Sequence, residues 1–135
     1  VVDGRGASLS SARDHRIGVA AGDARTGSLP SGYDAFLLAN ILHCYSPDEN
    51  RALLQKVRMA AAPGASLLLA DFWTDPTHTK PIHAALMAGE FAVHLKNGDV
   101  YSVDEARAWL AGTGWRFVEH AVLAGPQSLI AAEAV

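Results

Sequence analysis

Residues 33–49 read Tyr-Asp-Ala-Phe-Leu-Leu-Ala-Asn-Ile-Leu-His-Cys-Tyr-Ser-Pro-Asp-Glu. Tyr33 to Ala39 is a nearly unbroken apolar run, the pattern of a strand covered on both faces inside a parallel sheet. Ser46-Pro47-Asp48-Glu49 opens a helix. The serine oxygen accepts from a first-turn amide, proline loses nothing at the first helical position, and the glutamate reaches back to the serine amide. Leu53, Leu54, Val57, Ala60 and Ala61 then recur at helical spacing, Pro63-Gly64 predicts a stop, and Ala65 to Phe72 predicts a second buried strand. Strand, helix and strand in this order are the elements of a parallel crossover.

Toward the N-terminus, Ile17 to Ala21 is a short apolar run closed by Gly22-Asp23 and predicts another strand. Asp3 to Arg16, rich in Gly, Ser, Ala and Arg, predicts a loop with at most a short helix through Ser8 to Arg13. Toward the C-terminus, a connection from Trp73 to Lys80 leads to Pro81 and a helix over about Ile82 to Leu95, with Leu86, Met87, Phe91 and Leu95 near one face. Lys96-Asn97-Gly98-Asp99 breaks it. A second capping box, Ser102-Val103-Asp104-Glu105, opens a helix that carries Trp109 and Leu110 and closes at Gly112-Thr113-Gly114. Strands at about Arg116 to Leu123 and Gln127 to Glu133 flank Gly125-Pro126 and predict an antiparallel hairpin. The whole reads as one α/β domain over residues 1–135, its sheet mostly parallel with a C-terminal antiparallel hairpin.

The composition narrows the function classes. Half of the 135 residues are hydrophobic, enough for a single buried core. A formal charge of −3 with no run of Lys or Arg gives no footprint for a nucleic-acid backbone or an anionic membrane, so a small-molecule partner is expected. No stretch approaches the roughly 20 apolar residues of a spanning helix, and the opening residues are not those of a signal peptide; a cytoplasmic protein is expected. Cys44, the lone cysteine, has no basic neighbour to activate it and is expected to be a free structural thiol. Histidines 15, 78, 83, 94 and 120 show no metal-ligand spacing, and no metal is expected.

In open α/β sheets the ligand lies beyond the carboxyl ends of the strands. Four strand ends carry polar residues: Asp3, Asp23, Asn40 with His43, and Asp71. Each has a plainer reading as well. Asp23 is a common turn residue, His43 a half-buried histidine before a helix cap, Asp71 a solvent-facing strand end, and Met87, Phe91 and Trp109 core residues as readily as pocket lining.

Taken together, Gly22-Asp23, Leu29 to Asp34, Asn40 to Glu49 and Ala62 to Asp71 resemble the catalytic domain of the large O-methyltransferase family that modifies plant phenolics, bacterial polyketides and carotenoids. The resemblance continues more loosely through Tyr101 to Trp115. It implies a Rossmann-like class I methyltransferase sheet, S-adenosylmethionine as donor, and a hydroxyl of a small natural-product-like acceptor as the site of transfer. It further implies cofactor contacts at Gly22, Asp23, Ala24 and Asn40, a general base at His43, an orienting acid at Asp71, and a second carboxylate in the approximate position of Asp99.

The departures are specific. The Asp-Trp expected after the histidine is Cys44-Tyr45, and a Gly-rich loop after a first strand is missing. Either Val1-Val2-Asp3 is the second strand, with Asp3 on the ribose hydroxyls and the first strand outside the chain, or Val1 to Gly6 is a shortened first strand and loop. The helical dimerisation domain of the family is also absent, so a homodimer is expected only of a longer form. An inactive methyltransferase-like domain serving as a binding or assembly module is the alternative reading.

The implied chemistry suits these residue types. A hydroxyl is a weak nucleophile until it loses its proton, and an imidazole of pKa about 6.5 accepts that proton near neutral pH. A carboxylate on the other ring nitrogen fixes the tautomer and faces the charge the ring acquires.

Overall fold

The computed structural model describes Gly18 and residues 20–135. The chain divides into two compact units, Val1–Pro30 and Ser31–Val135. Asp3, the possible short helix through Ser8 to Arg13 and most of the strand expected at 17–21 lie outside the described residues.

The second unit runs β1 (Tyr33–Ala39), a 3-10 turn (Leu42–Cys44), α1 (Pro47–Ala60), β2 (Ala61–Asp71), α2 (Ile82–His94), α3 (Val103–Gly112), β3 (Trp115–Val122) and β4 (Ser128–Ala134). Both capping boxes form as the sequence predicts. The Ser46 and Ser102 side chains accept from the Glu49 and Glu105 amides, and each glutamate accepts from its serine's amide.

The four strands lie in the order β1-β2-β4-β3. β1 and β2 are parallel, in register from Ala35 opposite Ser66 to Ala39 opposite Ala70. β4 is antiparallel to both β2 and β3, so Ser128 starts beside Asp71 and the β3–β4 hairpin turns at the edge where β1 and β2 end. The predicted hairpin is present. Parallel pairing among the described strands is confined to β1 and β2, because β4 enters between β2 and β3 instead of following β3 at the rim.

Strand β2 starts earlier than predicted. Helix α1 ends at Ala60, and Pro63-Gly64 falls inside the strand. There Gly64 adopts φ +76° and the register with β1 slips between Tyr33 and Ala35. A proline without an amide and a glycine at positive φ suit such a bulge.

The core lies on one face of the sheet. Leu53, Leu54 and Val57 of α1, Ala106, Trp109 and Leu110 of α3, and Leu67, Leu69 and Ile130 of the strands are buried. Full burial of one such leucine contributes about 1.5–3 kcal/mol. The Trp115 indole is buried beside them and donates to the Leu54 carbonyl at 3.1 Å. Arg58 joins the end of α1 to the same corner, donating to the Gly114 carbonyl at 3.0 Å with its guanidinium 5.9 Å from the Trp115 ring centroid. These contacts fix the C-terminal half of α1 where β2 and β3 begin, and the turn that precedes α1 lies at the opposite, carboxyl edge of β1 and β2.

Candidate active site

The chain leaves β1 through Asn40, whose amide donates to the Ala70 carbonyl at 2.9 Å and whose φ of +54° turns the backbone out of the strand. Asparagine tolerates this left-handed conformation better than most residues. The 3-10 turn follows, closed by Tyr45 N–H donating to the Leu42 carbonyl at 3.2 Å.

The carbonyls of this turn and of Tyr45 are held from three further directions. The Asn50 side-chain amide donates to the Leu42 carbonyl at 2.9 Å and to the Tyr45 carbonyl at 3.3 Å. The Tyr101 hydroxyl donates to the Tyr45 carbonyl at 2.6 Å. The Asp99 amide donates to the His43 carbonyl at 3.1 Å. Gly98 lets that last strap approach: a Cβ there would lie 2.1 Å from the His43 carbonyl oxygen and 2.7 Å from a Leu95 methyl carbon. The turn is therefore pinned on both sides before any ligand arrives.

His43 lies in the middle of it. Its Nδ1 is 2.6 Å from Asp71 Oδ1, and the two side chains are 12% and 3% exposed. Asp71 Oδ1 also accepts from the Phe72 amide at 2.9 Å, while Oδ2 accepts from the amides of Leu42 at 3.1 Å and His43 at 3.3 Å. A buried carboxylate is expensive unless it is compensated, and here three backbone N–H groups and an imidazole meet it. An ionised carboxylate only accepts, so it selects the form with a proton on Nδ1, and in the neutral ring that tautomer has Nε2 as its acceptor. Among the described residues Nε2 has no hydrogen-bond partner.

Two aromatic rings frame the imidazole. Phe91 of α2 stacks on it with centroids 4.1 Å apart and planes 5° apart. Phe72 meets both rings edge-on, at 5.9 Å from His43 and 5.7 Å from Phe91.

His43 and Asp71 are thus brought together, and the solvent-facing position considered for Asp71 is not what the fold gives it. Asp99 reaches His43 through its amide. Its carboxylate is at the surface and accepts from the Val100 amide at 2.7 Å. Asn40 is exposed at the end of β1, with the Gln127 side-chain amide donating to its oxygen. Gly22, Asp23 and Ala24 belong to the first unit. There Asp23 caps a turn, accepting from the Arg25 amide at 2.8 Å on its carboxylate and from the Gly27 amide at 2.7 Å on its carbonyl.

Burial, with a smaller contribution from Asp71, raises the Cys44 thiol above its ordinary pKa, which keeps it protonated and a poor nucleophile. Of the three candidate pocket residues, Phe91 is buried against the base, Met87 is half-buried, and Trp109 is core, meeting Tyr101 edge-on at 4.8 Å. Among the described residues no group of three or more His, Cys, Asp or Glu side chains converges on a point that could hold a metal.

Asn50, Gly98, Phe72 and Tyr101 were not singled out by sequence. Asn50 left a trace: it shares the apolar face of α1 with Leu53, Leu54 and Val57, where a polar side chain needs a reason. It is fully buried, and its Oδ1 is without a partner.

A sequence model of the O-methyltransferase domain matches residues 1–116. The chain is similar to 3-hydroxy-5-methyl-1-naphthoate 3-O-methyltransferase of Streptomyces sahachiroi, with 34% identity over 82% of this chain and 32% of that enzyme. It superposes on a family 2 O-methyltransferase from Planctomyces limnophilus, solved with apigenin, at a TM-score of 0.78 and 30% identity, covering 85% of this chain and 34% of the other. The apo S-adenosylmethionine-dependent methyltransferase SibL gives a TM-score of 0.84 at 27% identity over 99% of this chain and 42% of its own. The chain spans about a third of the length of the curated relative.

Proposed function

The chain belongs to the O-methyltransferase domain family across residues 1–116, and on that premise we propose that its protein transfers a methyl group from S-adenosylmethionine to a hydroxyl of a small natural-product-like acceptor, with His43 as general base. The observation that carries the reading is an imidazole whose Nδ1 is 2.6 Å from a buried carboxylate and whose Nε2 is unengaged among the described residues. Similarity to an enzyme named for a hydroxynaphthoate, and to one solved with apigenin, supports a hydroxylated aromatic acceptor.

The neutral side-chain amides of Asn40 and Gln127, at the carboxyl end of β1, suit the hydroxyls and amines of a nucleoside and fit such a cofactor. Asn40 would hold it; Asp3, Gly22, Asp23 and Ala24 are proposed as cofactor residues on the family resemblance alone. When bound, S-adenosylmethionine supplies an electrophilic sulfonium methyl whose carbon–sulfur bond breaks with its electron pair returning to sulfur. His43 accepts the acceptor hydroxyl's proton at Nε2. Asp71 keeps the other proton on Nδ1 and faces the positive charge the ring gains, without itself being protonated. Asp99 is the family's second carboxylate by approximate position, and its amide steadies the turn. Phe72 and Phe91 shield the ring from water.

Two further proposals accompany this reading: a cytoplasmic location and, on the resemblance alone, a homodimer of the longer protein, which light scattering of the intact protein would test. Among the described residues no helix is long and apolar enough to cross a membrane.

The decisive test pairs calorimetry against S-adenosylhomocysteine with turnover of a hydroxynaphthoate, using the intact protein. His43→Ala is expected to leave binding unchanged and to lower kcat by about 10²–10⁴-fold. Retained turnover would reject the base. A folded protein that binds no S-adenosylhomocysteine would favour the binding or assembly module.

A further inference from the structure

One hydrogen bond does not orient an imidazole. The contact from His43 Nδ1 to Asp71 fixes one ring nitrogen, but the ring plane can still swing about that axis and sweep Nε2 through an arc. The direction of Nε2 decides whether it meets an acceptor hydroxyl, since proton transfer requires heavy atoms within about 2.6–3.2 Å. Something must hold the plane.

Phe91 is the side chain placed to do so. It lies in the last turn of α2, where its carbonyl accepts the Leu95 amide at 2.8 Å, and the residue is buried. The 4.1 Å separation and 5° interplanar angle leave the imidazole no room to tilt toward α2. Phe72, edge-on to both rings, limits tilt from another side. The π-face of Phe91 also lies under the ring that becomes imidazolium when the proton moves, an arrangement that favours the cation.

We propose that Phe91 is a positioning residue of the base, holding the His43 imidazole in the plane that aims Nε2 at the acceptor while Asp71 fixes the tautomer. The inference rests on the reading of His43 as the base, and its test includes a measurement independent of turnover. Phe91→Leu keeps an apolar side chain in the cleft and is the informative variant. Phe91→Tyr keeps the ring and serves as the rescue.

In crystal structures of the intact protein, the wild type and Phe91→Tyr should show the His43 imidazole in a single plane, stacked on the ring at position 91 with Nδ1 on Asp71. Phe91→Leu should show the imidazole turned out of that plane or spread over several, with Nδ1 still on Asp71, an unchanged melting cooperativity, and a kcat lowered about tenfold or more with the KM values unchanged; misplacement by 1 Å is sufficient for about a hundredfold loss. A His43 imidazole that keeps the wild-type plane in Phe91→Leu overturns the proposal. So does a rise in acceptor KM with kcat intact, which would make Phe91 a substrate contact. If instead His43→Ala keeps its turnover while Phe91→Leu still lets the imidazole plane turn, the base assignment fails and the positioning contact stands as a structural one.

Discussion

Gly98→Ala is the smallest change that should disable the site without touching a chemical group in it. The added methyl carbon would lie 2.1 Å from the His43 carbonyl oxygen and 2.7 Å from a Leu95 methyl carbon, against an ordinary contact of 3.4–4 Å. The leucine can rotate away. The carbonyl is backbone, so strap and turn must separate by about 1 Å or more, breaking the 3.1 Å hydrogen bond from the Asp99 amide. Relief of overpacking costs about 1–3 kcal/mol, and the lost bond about 0.5–1.5 kcal/mol. A displacement of that size at the base lowers kcat by about a hundredfold. Thermal melting and initial-rate kinetics of the intact protein measure the two effects. A Gly98→Ala protein with wild-type kcat and melting temperature would refute the claim that the 98–101 strap holds the base in place.

Other changes probe the same architecture at separate points. Asp71→Asn would offer a donor to backbone amides that need an acceptor and would release the Nδ1 tautomer; kcat should fall by about 10³-fold or more, with a loss of about 1–3 kcal/mol in denaturant titration. Asn50→Leu removes two bonds to the turn, but the Leu42 and Tyr45 carbonyls each keep another donor and the orphaned Oδ1 disappears; stability should change by about 1 kcal/mol or less while kcat falls several-fold. Tyr101 has its pKa raised to about 12, chiefly by burial and then by Asp99, Glu105 and Glu49. A group whose folded pKa lies above its unfolded value of about 10 contributes stability that is whole below pH 10 and lost as the pH climbs toward 12. Tyr101→Phe should remove that part of the alkaline loss in pH-dependent melting.

Much of the fold was legible because its signals are local. The capping boxes at Ser46 and Ser102 act through residues three positions apart, so the starts of α1 and α3 could be read directly. Pro81 marked α2 equally well. The start of β2 was misread because Pro63-Gly64 stops helices and also builds bulges, and only the partner strand shows which of the two it does. Leu86, read with Phe91 as one face of α2, is largely exposed; five residues of an α-helix carry the chain to the opposite side. The insertion of β4 between β2 and β3 leaves no mark in the sequence.

The same division runs through the site. His43 and Asp71 were visible because each lies at the end of an apolar run, and parallel strands deliver their ends to one edge; β1 itself, read as covered on both faces, is largely exposed at the edge of the described sheet. Gly98 and Tyr101 were not, since their importance comes from reaching a turn more than fifty residues away in the chain. The stacking of Phe91 on His43 was hidden for the same reason. A helical stripe of apolar residues is equally compatible with core and with site.

A crystal structure of the intact protein with S-adenosylhomocysteine and a hydroxynaphthoate would test the central claim most directly. The account predicts the acceptor oxygen within about 2.6–3.2 Å of His43 Nε2, with Nδ1 still on Asp71. An acceptor hydroxyl held by another group, with Nε2 turned away from it, would contradict the account.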